Sequence, residues 1–282
     1  MNDAALRTFI AIAEEGSLVR ASERLNVTQS TVTARLRTLE AELGQALFTR
    51  GKSGARLTAA GARFRRYAEA MTSLWGQARQ DIGLPAEVTG VCNIACHPDL
   101  WDGFGAPAAD LIRTAGAAVA AWPCDAGELD GWLSSGLADF ALSHQPSARE
   151  SVTSRNLGEE PILLYSTDPD APLRFDPGYV FVDNGEAFGR AHHAAYADAD
   201  TARLSFGAPR WALAHLGKHG GSAYLPRSVA AQSAVPLHQI ENAPAFGRAV
   251  FLVTLDRAAS AWPWLEDVAE TLQVAALQAA PR

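Results

Sequence analysis

Between positions 28 and 38 the chain reads TQSTVTARLRT, a run of hydroxyls, one amide and two guanidiniums, and no acid follows until Glu40. Such short-reach donors and acceptors have the chemistry needed to bond base-pair edges and phosphates. At 100° per residue, Val32, Leu36, Leu39 and Leu43 share a narrow arc and are expected to pack inward. The opposite arc carries Ser30, Thr33, Ala34 and Arg37, flanked by Gln29, Thr31, Arg35 and Thr38. A helix face that is merely solvated more often displays glutamate and lysine. Next comes LFTRGKSGARL, whose Gly51 and Gly54 between Phe48 and Leu57 suit a short hairpin. It would carry Arg50, Lys52 and Arg56, positive charge fit for phosphates or a minor groove. The alternative is a plain basic turn.

Three helices are needed to present that face. Leu6, Phe9, Ile10 and Ala13 recur at helical spacing and mark the first. Gly16 ends it, and Ser17 is placed to cap a second through Leu18, Ala21 and Leu25. Asn26 and Val27 form a tight connection, Thr28 is the next N-cap, and Gly44 stops the third helix. Two short helices, a turn and a polar-faced third helix predict a helix-turn-helix. The two caps, Ser17 and Thr28, join the DNA-contact candidates.

Charge is distributed to match. The whole chain of 282 residues has a formal charge of -7. Yet residues 28–66 hold 8 basic against 2 acidic side chains, whereas residues 88–282 hold 12 against 22. A basic head on an acidic body suits binding to a polyanion. With 48% hydrophobic and 20% charged residues the chain can bury a core, and its length suits two or three units. No apolar run is long enough to span a membrane, and the N-terminus lacks the pattern of a signal peptide. Cys92, Cys96 and Cys124 are too few for a disulfide framework, which fits a reducing cytoplasm.

On FIAIAEEGSLVRASERLNVTQSTVTARLRTLEAELGQALFTR and RLTAAG, the first 66 residues resemble the LysR-type transcriptional regulators. The run YAEAMTSLW and the short C-terminal part resemble, within that family, a short-sensor subgroup that includes the flagellar-gene repressor branch. The resemblance implies a bacterial, cytoplasmic, nucleoid-associated regulator of promoter DNA, with the helix at 28–43 in the major groove. Gln29, Ser30, Thr31, Thr33 and Arg37 would contact bases or phosphates, and Arg50, Lys52 and Arg56 the backbone. Ala34 departs from members with a larger polar side chain there, so an operator sequence does not carry over. RNA polymerase is a further partner that the resemblance brings in.

No proline interrupts the stretch from Thr58 to Pro85, so a long helix is expected. Ala60, Phe64, Tyr67, Met71, Leu74 and Ala78 follow spacings of 4 and 3, a coiled-coil seam. A helix packed on its own chain is the alternative; the resemblance implies antiparallel pairing in a homodimer, and assembly to a homotetramer. The expected divisions are a winged helix-turn-helix at 1–58, a linker and dimerisation helix at 59–87, and an α/β domain at 88–282.

Beyond Pro85, apolar runs such as VCNIAC, DFALS, ILLYSTD, YVFVD, SAYLP and AVFLVTLD alternate with alanine-rich helical stretches, which predicts an α/β sheet. The resemblance implies two subdomains like those of periplasmic binding proteins, at about 88–161 plus 254–282 and about 162–253, with a small-molecule effector between them. Ligands of such sheets sit at the carboxyl ends of strands, which nominates His97, Asp99, Trp101, Ser143, His144, Asn184, Ser205, Phe206 and Tyr224. For each, a helix cap or a satisfied core group is the competing explanation. None of the motifs GxSxG, GxxxxGK[ST], HExxH or CxxC occurs, so no enzyme, cofactor or metal centre is expected. His215 and His219, four apart, lack an acid or cysteine beside them. Ligand-independent or redox-responsive DNA binding, or an architectural DNA-binding role, are the alternatives to effector control.

Overall fold

The computed structural model describes residues 3–51, 54–85, 87–172, 178–197, 202–255 and 258–279, without the side chains of Arg50, residues 259–260 and residues 277–279. It divides into two compact units, Met1–Ala86 and Glu87–Arg282.

The first unit runs α1 (Asp3–Glu15), α2 (Leu18–Arg24), α3 (Gln29–Leu43), β1 (Phe48–Gly51), β2 (Gly54–Leu57) and α4 (Ala59–Ile82). Its core forms around α1, where Ala5, Leu6, Phe9 and Ile12 are buried; Phe9 meets the rings of Phe48 and Phe64 at centroid distances of 5.3 and 5.1 Å. Burial on α1 is broader than the expected stripe because α2, α3 and α4 all pack on it, so Ile10 and Ala13 lie only at its margin. Helix caps fall where the side chains dictate: Ser17, Thr28 and Thr58 accept from the amides of Arg20, Thr31 and Gly61. Asn26 takes a φ of 52° in the turn between α2 and α3. On α3, Val32, Leu36 and Leu39 are buried, but Leu43 is 42% exposed. It sits at the last position before the left-handed Gly44 cap, beyond the reach of α1 and α2.

β1 and β2 form an antiparallel hairpin. The hairpin is tied to the helices at both ends. The Ala55 amide donates to the Gly16 carbonyl at 2.8 Å, and a Cβ on Gly54 would lie 2.3 Å from that oxygen. Glu40, the first acid of α3, accepts from the amides of Leu47 and Phe48 at 2.7 and 3.3 Å.

The second unit contains β3 (Val91–Cys96), α5 (Ala106–Thr114), β4 (Ala118–Pro123), α6 (Ala126–Ser135), β5 (Phe140–Ser143), β6 (Val152–Ser166), β7 (Tyr179–Val182), α7 (Glu186–Ala195), β8 (Leu204–Phe206), α8 (Pro209–His219), β9 (Ser222–Pro226), α9 (Arg227–Ala230), β10 (His238–Gln239), β11 (Phe246–Leu255), α10 (Ala258–Ala261) and α11 (Leu265–Ala279). The strands order as β4-β3-β5-β11-β6-β9-β7-β8, with β10 paired to β6. Pairs β3–β4, β3–β5, β7–β8 and β7–β9 are parallel, as chain crossovers through helices require. Alternation along β3 sends Cys92, Ile94 and Cys96 to one apolar cluster and Ala95 to another, so both faces are covered. Two further clusters flank the β7–β9 half.

The two halves share their central strands. β6 pairs with β11 over Val152–Ile162 and with β9 over Ile162–Ser166. Between Val250 and Phe251 the register moves from Gly158 to Asn156, leaving Leu157 as the extra residue of a bulge. Thus the expected two-subdomain α/β architecture is present. The expected strands extend further than their apolar cores, since β6 begins ten residues before ILLYS.

Candidate nucleic-acid interface and ligand cleft

In the first unit α3 turns outward Gln29, Ser30, Ala34, Arg37 and Thr38, all exposed, with Thr31, Thr33 and Arg35 half-buried beside them. Not every hydroxyl is at liberty. Thr28 Oγ1 lies 2.9 Å from Ser30 Oγ and 2.8 Å from Thr31 Oγ1, and Thr38 donates to the Ala34 carbonyl at 3.1 Å. This cap network fixes the first turn, the part of a recognition helix that enters a groove first. Nearby cations divide into two groups. Arg20 and Arg24 on α2 are paired with Glu14 and Glu15, and Arg65 with Glu69. Arg35, Arg37, Arg56 and Arg63 have no ion pair among the described residues, so their charge is available to an outside anion. Lys52 and the Arg50 side chain lie outside the described residues. Ser17 is occupied as a cap at 3.4 Å.

The proposed helical seam on α4 is divided between two tasks. Ala60, Phe64 and Met71 pack on the core of their own unit, and Ala68, between seam positions, is fully buried there. This corrects the reading of all six residues as a partner face: α1 lies along the first half of α4 and takes that side. Tyr67 and Ala78 remain exposed, as do Trp75 and Ile82, the last at 86%. With Asp3, Leu6 and Met71, Leu74 and Trp75 line a groove of about 390 Å³. Trp75 and Ile82 escaped the seam pattern, though Ile82 follows Ala78 by the same spacing of four.

In the second unit, the ends of β3 and β5 bring three nominated residues together. His97 and His144 meet with ring centroids 4.8 Å apart, and Asp99 Oδ2 lies 3.8 Å from His97 Nδ1. A carbonyl only accepts, so the 3.1 Å contact to Ala249 places the His144 proton on Nδ1. Its Nε2 is then a buried lone pair, with no hydrogen-bond partner. Burial and the nearby Arg248 push His144 down to about 3; burial foremost also lowers His97. The His144 ring is neutral at pH 7.

Sequence reasoning missed the charges that surround this cluster. Arg248, 12% exposed, donates to Asp99 at 3.2 Å and lies 3.6 Å from Glu160, which also accepts from the Ser228 hydroxyl. Burial raises the Glu160 carboxyl, opposed by Ser228 and Arg248. Asp102 pairs with Arg210 of α8. The pairs Asp102–Arg210 and Glu160–Ser228 tie the β3 side to α8 and α9. An arginine inside GRAVFLV and a glutamate before PILLY were the available signals, because a charge within an apolar strand needs a buried partner.

The other nominated residues have local roles. Ser143 accepts from the Gln145 amide at 3.1 Å. Asn184 donates to the carbonyls of Val182 and Tyr224 and is buried. Tyr224 is 0% exposed, with its hydroxyl 2.6 Å from that of Tyr196. These two are core residues of the β7–β9 half, because the parallel pairing of β7 and β9 turns them inward. Phe206 packs beside His215, and Ser205 is exposed on the edge strand β8. Trp101 instead lines a 230 Å³ hollow with Cys96, Pro98, Ala121, Trp122 and Pro123. All three cysteines are buried, and burial raises their thiols, Cys96 to about 12 and Cys124 to about 11.

The first unit has the form of a winged helix-turn-helix, and the second is an α/β domain of two subdomains. Residues 4–62 match the family model described as bacterial regulatory helix-turn-helix protein, lysR family. The HTH-type transcriptional regulator HdfR of Escherichia coli is 26% identical over 264 residues, covering 92% of this chain and 93% of the relative. Among solved structures, the LysR family transcriptional regulator CbnR superposes with a TM-score of 0.69 at 21% identity, covering 98% of this chain and 99% of the other. Full-length CbnR complexed with its target DNA gives the same score and identity, with 98% and 100% covered. LysG of Corynebacterium glutamicum, solved with arginine bound as effector, gives 0.50 at 18% identity, with 97% and 98% covered. Residues 4–62 thus carry a lysR-family bacterial regulatory helix-turn-helix, and over nearly its whole length the chain is similar to an HTH-type transcriptional regulator.

Proposed function

We propose that the protein binds a dyad site in promoter DNA as a homodimer, assembling further to a tetramer, in the bacterial cytoplasm, and that a small ligand in the second unit modulates this binding. The observation that carries the reading is the outward face of α3. Gln29, Ser30, Ala34 and Arg37 are exposed on a helix whose first turn is locked by Thr28, and Arg35 and Arg37 lack internal acids among the described residues. Gln29, Ser30, Thr31 and Thr33 read base edges in the major groove. Arg35 and Arg37, with Arg50, Lys52 and Arg56 of the wing, hold phosphates. The CbnR–DNA complex supports this use of the fold.

Dimerisation follows from the outer part of α4: the exposed Tyr67, Trp75, Ala78 and Ile82, with the half-buried Leu74 beside them. One helix-turn-helix reads only a few base pairs, and a linked second copy raises affinity through effective concentration. The cluster of His97, Asp99 and His144 at the ends of β3 and β5 marks the ligand site, and the effector-bound LysG structure supports this use of the fold. Typical coupling between two such sites is about 1–3 kcal/mol. RNA polymerase is the downstream partner in this scheme.

Competition footprinting on genomic DNA tests the reading. A regulator selects particular dyad sites and loses the preference on Gln29→Ala or Thr33→Ala. Equal affinity for random duplexes would leave only an architectural role.

A further inference from the structure

We propose that His97, Asp99 and His144 form a binding site for a divalent transition-metal ion of the zinc, cobalt or nickel class. One ligand atom from each residue lies within 4.8 Å of the others, on two loops that follow neighbouring parallel strands, β3 and β5. The donor set is two imidazoles and a carboxylate, which suits borderline metals rather than magnesium or calcium.

The His144 ring carries the argument furthest. Its Nδ1 is bonded to the Ala249 carbonyl, the outer-sphere contact that fixes the tautomer of a ligating histidine. Its Nε2 is buried, unprotonated and without a donor. A buried imidazole nitrogen left as an unpartnered acceptor is open to a donor, and a Lewis-acidic metal ion can take its lone pair.

Arg248 is the cation that competes with a metal for Asp99. It holds Asp99 at 3.2 Å, and Glu160, 3.6 Å from Arg248, is positioned to keep it when Asp99 turns to a metal. Tetrahedral bonds of about 2.0–2.1 Å place ligand atoms roughly 3.4 Å apart, so the three groups must close in by rotation. The half-exposed His97 and the Asp99 carboxylate are the movable parts. Three protein ligands leave one coordination position open. His215 and His219 on α8, with ring centroids 4.6 Å apart, are the competing metal pair in the chain.

The inference goes beyond the regulator reading, and its test uses no DNA, so the two fail separately. Full-length protein is stripped by chelator, then titrated with Co²⁺ while the visible d–d absorption is followed, and the bound Co²⁺ is displaced with Zn²⁺. One equivalent per chain is expected, with a tetrahedral or five-coordinate spectrum. His97→Ala, at a partly exposed side chain, and the near-isosteric Asp99→Asn weaken binding by at least about tenfold. The double variant His215→Ala/His219→Ala leaves it unchanged. Absence of saturable binding would overturn the proposal, as would binding that survives His97→Ala and Asp99→Asn but disappears with His215 and His219. Circular dichroism of each variant ensures that loss of signal is read only from folded protein.

Discussion

The side chains of α3 differ in what they contribute. Arg37 is exposed and unpaired among the described residues, so Arg37→Ala should weaken binding to all duplexes alike and flatten the salt dependence by about one unit of slope. Gel-shift titrations at several salt concentrations measure both effects. Thr33→Ala should instead cost about 1–3 kcal/mol at the preferred site and little on random DNA. His192 permits a prediction about pH. Its ring is buried among Tyr179, Phe188, Tyr224 and Phe246, with Nε2 2.8 Å from the Tyr179 hydroxyl, and burial lowers it to about 4 from 6.5. The folded state therefore favours the neutral ring. Its contribution is complete above pH 6.5 and is lost as pH falls from there through 4. Thermal unfolding midpoints should drop over that window, and His192→Gln should make the drop shallower.

At the scale of elements, legibility followed locality. The caps at Ser17, Thr28 and Thr58, the stop at Gly44 and the inward Val32–Leu36–Leu39 arc depend on neighbours within a turn or two, and the sequence pattern was enough to find them. The two faces of α4 were not separable from spacing alone. Phe64 points to α1 because Phe9 is there, 55 positions earlier. Asn184 and Tyr224 were legible as strand ends, but the choice between pocket and core, both open in the sequence, depends on β7 lying beside β9. His97 and His144 were nominated separately; only the parallel β3–β5 pairing brings their rings together. Two element-level tests follow. Ile82→Glu with Trp75→Glu should convert a dimer to monomer in sedimentation analysis while preserving helicity. Gly61→Ala should destabilise the first unit, because its Cβ would sit 2.1 Å from the Leu47 carbonyl oxygen and α4 would have to move off the hairpin.

For the molecule as a whole, charge is divided by task. Basic residues without internal acids concentrate on the first unit, whereas the second unit, with 12 basic and 22 acidic side chains beyond position 87, turns most of its arginines to internal acids. Arg248, largely enclosed, is the hub of that second arrangement. Arg248→Met would leave Asp99 and Glu160 as neighbouring buried carboxylates, and urea unfolding should show a loss of about 3–5 kcal/mol. Adding Glu160→Gln should recover part of it. No helix among the described residues is long and apolar enough to cross a membrane.

The Glu40 carboxylate, which grips the amides at the start of the hairpin, has a consequence for how operator preference can change. It makes α3 and the hairpin a single calliper, with the gap between groove contact and backbone contact set when the chain folds. New sequence preferences can then arise by exchanging the tips, at Gln29, Ser30, Thr33 or Ala34, without resetting the jaws. A change at Glu40 itself would loosen the gauge and blur every base position together.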